Sequence, residues 1–212
     1  MITVACVLRS GGIYTAEWVA KLQRGVARHL TVPHCFVCLS DVDVPCERIP
    51  LETNWPGWWS KIELFRPDLF DDTVLYFDLD TVIVGSLDAI AAYPHRFTMA
   101  HEFYRPTLLC STAMAWRGDW SSIHSAFAAK SGEWIAHYDA VLPGGRIGDQ
   151  AFIEDVIGTA DTFRDLFGER SVASYKVHDC QGAPPADAAA VAFHGLPKMH
   201  EIRTGWVADA WK

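Results

Sequence analysis

The chain lacks long apolar runs and clusters of positive charge. A membrane span needs about 18 or more consecutive apolar residues, and no such run occurs among the 212 residues. The formal net charge is -8, and Lys and Arg are scattered, which argues against nucleic-acid binding as the main task. Residues 1–9 are apolar but lack the length and basic leader of a signal peptide. We therefore expect a cytoplasmic protein without a transmembrane segment.

The six cysteines lack the pattern of a zinc site. Cys35 and Cys38 have zinc-knuckle spacing, but no second pair follows them. Residues three apart in a strand point to opposite faces of the sheet, so these two thiols cannot share a metal ion. Reduced cysteines that pack as small hydrophobic side chains are typical of a cytoplasmic protein.

The order of the elements predicts an α/β fold. An apolar strand at 2–9, a helix at 15–30 and a second strand at 34–39 form a strand–helix–strand unit. This unit predicts a Rossmann-like, mostly parallel central sheet flanked by helices. The length and the absence of repeats or linkers favour one domain that spans 1–212.

Periodicity and turn residues predict further elements along the rest of the chain. We expect a helix at 86–93 with Ser86 as its N-cap. The other predicted helices are 58–65, 118–130 and 148–157, and the other predicted strands are 73–78, 97–102, 108–116 and 190–194.

The most informative segment is Asp78-Leu79-Asp80, which interrupts the apolar run 73–85. A buried carboxylate is costly unless it is paired or bound to a metal ion. At the end of a strand, where the backbone turns, Asp78 and Asp80 could reach one divalent cation. Oxygen ligands suit Mg²⁺ or Mn²⁺, which commonly bridge substrate phosphates. The competing interpretation is two acids in a turn, one of which caps the next helix.

Two more segments could contribute to a site around these acids. The first turn after a strand, 8–14, is glycine-rich and lies where ligands bind in open α/β sheets. Its Tyr14 could stack on a base or lie in the core. The segment Trp55-Pro-Gly-Trp-Trp-Ser-Lys61 carries three indoles, of which we expect at least one in the core. Lys61 could meet a phosphate.

Two late segments add polar side chains. Asp149 and Gln150 open a predicted helix and could hold sugar hydroxyls, although Asp149 could also be only the N-cap. His194 follows a short strand and could be a nitrogen ligand of the same metal ion, while Lys198 could contact a diphosphate. A single His after a strand is more often a structural residue.

Taken in order, these segments resemble the GT-A glycosyltransferases, in particular the family 8 group that includes glycogenin and bacterial lipopolysaccharide galactosyl- and glucosyltransferases. Leu8, Arg9, Ser10 and Tyr14 lie in a segment that resembles the family's nucleotide-binding loop, whose tyrosine stacks on uracil. Lys61 resembles a lysine that contacts the donor.

The match continues through the rest of the chain. Asp78, Leu79 and Asp80 resemble the Asp-x-Asp segment that holds Mn²⁺ and the diphosphate, and Asp149-Gln150 resembles the Asp-Gln pair near the donor sugar. His194 and Lys198 resemble the C-terminal motif with a metal-binding His and a phosphate-binding Lys. Two departures concern the family's Asn-Ser-Gly segment, which is here Ser111-Thr-Ala113, and a Gly that directly follows His194.

The resemblance implies a metal-dependent transfer of a hexose from a nucleotide diphosphate sugar, UDP-linked, to an acceptor hydroxyl on a glycan, glycolipid or protein, with retained anomeric configuration. It implies Asp78, Asp80 and His194 as ligands of Mn²⁺ or Mg²⁺, Asp149 and Gln150 as catalytic residues, and Leu8, Arg9, Ser10, Tyr14, Lys61, Asp78, Leu79, Ser111 and Lys198 as substrate-binding residues.

Two alternatives remain at this stage. Asp78 and Asp80 also fit the first motif of haloacid-dehalogenase-like phosphatases, as nucleophile and general acid. Those phosphatases place this motif on their first strand, whereas a complete strand–helix–strand unit precedes it here. The second alternative is a non-catalytic module that binds a nucleotide sugar.

Overall fold

The computed structural model describes all residues, Met1–Lys212. A seven-stranded sheet has the order β3-β2-β1-β4-β7-β6-β8, and a three-stranded sheet has the order β5-β10-β9. The strands are β1 Ile2–Leu8, β2 His34–Ser40, β3 Glu47–Pro50, β4 Val74–Phe77, β5 Thr81–Ile83, β6 Phe97–His101, β7 Leu109–Trp116, β8 Asp161–Thr162, β9 Val172–Ser174 and β10 Ala190–Ala192.

Helices lie against both faces of the large sheet. The α-helices are α1 Ala16–His29, α2 Asp88–Ala92, α3 Ser121–Ala129, α4 Ser131–Tyr138, α5 Gly148–Ile157, α6 Phe163–Phe167 and α7 Trp206–Ala210. A nine-residue 3-10 helix spans Gly57–Phe65, and two short 3-10 turns span Pro143–Gly145 and Met199–Glu201. None of the helices has the length and apolar character that a membrane crossing requires.

The predicted strand–helix–strand unit is confirmed. Strand β1 pairs in parallel with β2 on one side and with β4 on the other, so it lies inside the sheet. Its side chains alternate between the two faces: Val4, Cys6 and Leu8 pack in the core under α1, whereas Ala5 packs in the core on the opposite face. The large sheet has four parallel and two antiparallel strand pairings, which confirms the mostly parallel prediction.

Cys35 and Cys38 pack on opposite faces of β2, as their spacing predicts. Cys38 is buried in the same core cluster as Cys6, while Cys35 packs against the other cluster. Their side chains therefore point away from each other.

The apolar run 73–85 forms two strands instead of one. Strand β4 belongs to the large sheet and β5 to the small sheet, and Asp78-Leu79-Asp80 connects them. Strand β5 then pairs with β10, with Thr81 opposite Ala192. The chain thus passes from one sheet to the other at the two acids, which places them at the boundary between the sheets.

Two predicted helices begin later than expected. Leu87 occupies the N-cap position of α2, so the prediction of Ser86 as its N-cap is wrong, although Ser86 Oγ accepts a hydrogen bond of 3.1 Å from the Asp88 backbone N–H. The helix predicted at 118–130 begins at Ser121, whose N–H donates to Asp119 Oδ1 at 2.8 Å. In both places a side chain upstream of the helix takes a free backbone donor. The sequence did not predict β3, α4, β8, α6, β9 or α7.

We predict that Gly85→Ala destabilises the protein by about 1–3 kcal/mol. A Cβ on Gly85 would lie 2.4 Å from the carbonyl oxygen of Ala188, where the chain leaving β5 passes the chain that enters β10. The matched control is Gly132→Ala in α4, where a Cβ has no neighbour within 4 Å and the higher helix propensity of Ala should leave stability equal or slightly raised. Urea unfolding measures both, and equal stability of the two variants would contradict the packing described.

Candidate functional site

A cavity of about 890 Å³ opens beyond the carboxyl ends of β1 and β4, the edge at which open α/β sheets bind ligands. All but one of the site residues predicted from the sequence line it. These are Arg9, Ser10, Tyr14, Lys61, Asp78, Leu79, Asp80, Ser111, Asp149, Gln150, His194 and Lys198. Leu8 does not, because its side chain is buried in the core.

The floor of the cavity is a buried ion network around Lys61. Its ammonium Nζ lies 3.0 Å from Asp78 Oδ1, 3.1 Å from Asp149 Oδ2 and 2.9 Å from Ser111 Oγ. Ser111 in turn donates to Asp149 Oδ2 at 2.6 Å. Burial alone would lower the pKa of Lys61, but Asp149 and Asp78 outweigh it and raise that pKa. Lys61 is therefore a fixed positive charge.

Asp78 is held at the end of β4 by two donors. The hydroxyl of Tyr76, on β4 itself, and the ammonium of Lys61 both contact Oδ1. Burial raises the pKa of Asp78; the Lys61 charge opposes this shift and the Asp80 charge adds to it. The surplus of negative charge at this point favours the approach of a cation.

Asp80 has a different lysine. Lys198 Nζ contacts Asp80 Oδ2 and also donates to the Phe193 carbonyl at 2.7 Å, while the Tyr14 hydroxyl donates to Asp80 Oδ2 at 3.0 Å. The Phe193 N–H donates to the Asp80 carbonyl at 2.8 Å. The pairing of β10 with β5 thus brings Lys198, which is 118 residues away along the chain, onto Asp80.

Tyr14 combines the two roles that the sequence left open. Its ring lies edge-on to Trp18 of α1 with 5.0 Å between centroids, while its hydroxyl reaches Asp80 inside the cavity. Burial and the Asp80 charge raise the pKa of the phenol, so it stays protonated and donates to the carboxylate.

His194 lies in the wall of the cavity as a neutral imidazole. Its ring stacks on Phe103 with 5.1 Å between centroids, and its Nε2 is 2.7 Å from Ser174 Oγ. Burial, followed by the charge of Lys176, lowers its pKa. An uncharged imidazole is the form that binds a metal ion.

The three predicted metal ligands line one cavity, but they do not form a closed coordination group in this structure. Asp78 and Asp80 each use one carboxylate oxygen for their lysine and tyrosine partners. The second oxygen of each has no protein partner and is not fully buried. Two available carboxylate oxygens and a neutral imidazole are a donor set that suits Mn²⁺ or Mg²⁺.

The pair Asp149-Gln150 opens α5, yet Asp149 does not cap it. The N-cap position is Ile147, and the Asp149 carboxylate points to Lys61 and Ser111 instead. The interpretation of Asp149 as only an N-cap is therefore wrong. Gln150 lines the cavity beside Asp149, and the Gln150 carboxamide forms no hydrogen bond within the protein.

Two partners of the first turn were not predicted from the sequence. Asp41 accepts hydrogen bonds from the Ser10 backbone N–H at 2.8 Å and from the Ser10 hydroxyl at 2.7 Å, and Asn54 Oδ1 accepts one from Arg9 at 3.1 Å. Asp41 directly follows β2, so its position at the carboxyl edge of a parallel sheet was the available signal. No local sequence pattern around Asn54 predicts its contact with Arg9.

Of the three indoles in 55–59, Trp59 is buried in the core and Trp55 is partly buried against it, which confirms that at least one belongs to the core. Trp59 is 1% exposed and stacks on Phe127, and its Nε1 donates to Asp139 at 3.0 Å. Trp55 packs edge-on against the same Phe127. Trp58 is 54% exposed and lines the cavity.

The sheet order, the flanking helices and the position of the cavity define the GT-A fold of glycosyltransferases, which confirms the predicted fold. The galactosyltransferase LgtC, in complex with donor and acceptor sugar analogs, superposes with a TM-score of 0.66 over 99% of this chain and 93% of its own, at 13% identity. The glycosyltransferase GlyE of Streptococcus pneumoniae TIGR4 superposes with a TM-score of 0.65 over 100% of this chain and 60% of its own, at 11% identity. By sequence, no protein-family model and no curated protein matches the chain.

We predict that Lys61→Met destabilises the protein by about 3 kcal/mol at pH 7.5, because it leaves the buried Asp149 and the partly buried Asp78 without a counter-charge. The Lys61 charge lowers the pKa of Asp78 in the wild type, so that pKa is higher in the variant, and the folded variant takes up a proton at a pH where the folded wild type does not. The loss should therefore shrink towards pH 5.

Urea unfolding at both pH values measures this effect. The control is Lys130→Met, which removes an exposed lysine whose only partner, Glu133, is 3.3 Å away and should cost less than about 1 kcal/mol at either pH. Equal losses for the two variants at pH 7.5 would contradict the buried network.

Proposed function

We propose that the protein is a metal-dependent glycosyltransferase that moves a hexose from a UDP-linked donor to an acceptor hydroxyl. The observation that carries the proposal is the pair of carboxylates, Asp78 and Asp80, each tied to its own buried lysine and each with one free oxygen, in the ligand cavity of a GT-A fold. A cavity of about 890 Å³ is also of the size that holds a cofactor-sized ligand.

Asp78, Asp80 and His194 would hold Mn²⁺ or Mg²⁺. Bound there, the ion would neutralise charge on the departing diphosphate as a Lewis acid. The available carboxylate oxygens and the neutral imidazole support this assignment.

The two lysines and the first turn would bind the rest of the donor. Lys61 and Lys198 are charged and buried, with 5% and 7% exposure, and such preorganised charges stabilise negative charge that develops on a leaving group. Tyr14 would stack on the uracil, supported by its place between α1 and Asp80. Arg9, Ser10, Leu79 and Ser111 line the same cavity, whereas Leu8 contributes only to the core beneath it.

Asp149 and Gln150 would orient the donor sugar. Asp149 is fixed by Lys61 and Ser111, which supports a positioning of sugar hydroxyls, while the Gln150 carboxamide can donate and accept hydrogen bonds. Retained anomeric configuration, a single domain and a cytoplasmic location stay predictions from the sequence.

The phosphatase alternative has less support. Asp78 follows the fourth strand in a GT-A fold, and its carboxylate is bonded to Lys61 and to the Tyr76 hydroxyl.

We predict that UDP raises the melting temperature only when Mn²⁺ or Mg²⁺ is present. At a ligand concentration of about 100 times Kd, binding adds roughly 2.7 kcal/mol to the free energy of unfolding. Asp80→Asn should abolish the shift, because it removes a charge that the ion needs. A thermal-shift titration with and without EDTA measures this effect.

The matched control is Asp71→Asn, which changes an exposed carboxylate outside the cavity and should leave the full shift. Equal stabilisation of the wild type and Asp80→Asn by UDP in EDTA would show that the proposed metal and nucleotide site is wrong.

A further inference from the structure

Trp58 is an indole without a structural role of its own. It is 54% exposed, and its indole forms no aromatic ring pair or hydrogen bond, whereas its neighbours Trp55 and Trp59 pack on Phe127. A single exposed hydrophobic side chain is ordinary on a protein surface, so what sets Trp58 apart is its position in the lining of the cavity.

The 3-10 helix Gly57–Phe65 aims Trp58 at the site. Residues three apart eclipse each other on such a helix, so Trp58 and Lys61 project from the same face. Lys61 reaches the floor of the cavity and contacts Asp149, while Trp58 lines the same cavity nearer to solvent. One face of this helix thus extends from Lys61, on the floor of the cavity, to Trp58 at the mouth of the cavity.

Gly148 brings this indole close to the start of α5. A Cβ at position 148 would lie 3.3 Å from Trp58 Nε1, and Gly148 has a φ of +69° that also favours glycine. The next two residues are Asp149 and Gln150. An apolar ring face therefore stands directly beside a carboxylate and a carboxamide.

We propose that Trp58 is the stacking platform for the ring of an acceptor sugar, and that the acceptor is a saccharide. This inference rests on the proposed glycosyl transfer. A pyranose ring presents an apolar C–H face to an indole and hydroxyls to neighbouring polar groups such as Gln150. A protein hydroxyl on a flexible side chain would offer no such face.

The proposed donor and acceptor contacts differ in how deeply they are buried. Lys61, Lys198 and Asp149, the proposed donor contacts, are 5%, 7% and 6% exposed. Trp58 remains open to solvent at the mouth, where the second substrate arrives once the donor occupies the interior.

The test uses protein labelled with 5-fluorotryptophan, in which Trp58→Phe identifies the Trp58 resonance by its loss. The methyl β-glycosides of glucose, galactose and N-acetylglucosamine are titrated by ¹⁹F NMR, with and without UDP and Mg²⁺. We expect at least one glycoside to shift the Trp58 resonance. Because the variants lack the Trp58 resonance, their affinities are compared with the wild type by isothermal titration calorimetry, and Trp58→Ala should weaken binding of that glycoside about fivefold, which is the scale of an aromatic contact.

Controls and outcomes separate this inference from the proposed function. Trp58→Phe should retain most of the affinity, and Val141→Ala, an exposed apolar residue outside the cavity, should retain all of it. The inference is overturned if UDP binds but no glycoside shifts the Trp58 resonance, or if Trp58→Ala weakens UDP-glucose or UDP-galactose and spares the glycosides. A glycoside shift at Trp58 without any UDP binding would support the platform and refute the nucleotide-sugar donor.

Discussion

The contact of Lys61 with Asp78 and Asp149 organises the site. Four elements meet there: the 3-10 helix supplies the lysine, β4 leads into Asp78, β7 supplies Ser111 and α5 supplies Asp149. An unpaired charge at this position would be costly. Because the charges must be paired, the elements that carry them are fixed relative to one another. Well-packed apolar residues in place of these charged groups can make a protein equally or more stable. The charged network therefore indicates a function rather than a contribution to stability.

The small sheet provides the second half of the site. Because β5 pairs with β10, Asp80 at the start of β5 meets the loop that carries His194 and Lys198. The two acids are neighbours in the chain but belong to different ion pairs, one with each lysine. This division leaves one oxygen free on each carboxylate, and the proposed metal site depends on these two oxygens.

The sequence predicted what depends on local pattern. The spacing of Trp18, Leu22 and Val26 predicted α1, and the apolar run before Asp78 predicted β4, so the acids were placed correctly at a strand end. It could not predict that Lys198 pairs with Asp80 or that Asn54 holds Arg9, because such contacts depend on how distant segments pack. The same limit applies to the indoles: the pattern predicted a core tryptophan, but only packing on Phe127 shows that Trp58 is the exposed one.

The most direct test of glycosyl transfer is ³¹P NMR of UDP-glucose and UDP-galactose incubated with the protein and Mg²⁺, in the presence of a panel of saccharides. The account predicts that the donor signals of at least one nucleotide sugar are replaced by those of UDP, and that Lys61→Met stops this conversion. Donors that stay intact throughout, or that yield UMP or inorganic phosphate in place of UDP, would contradict it.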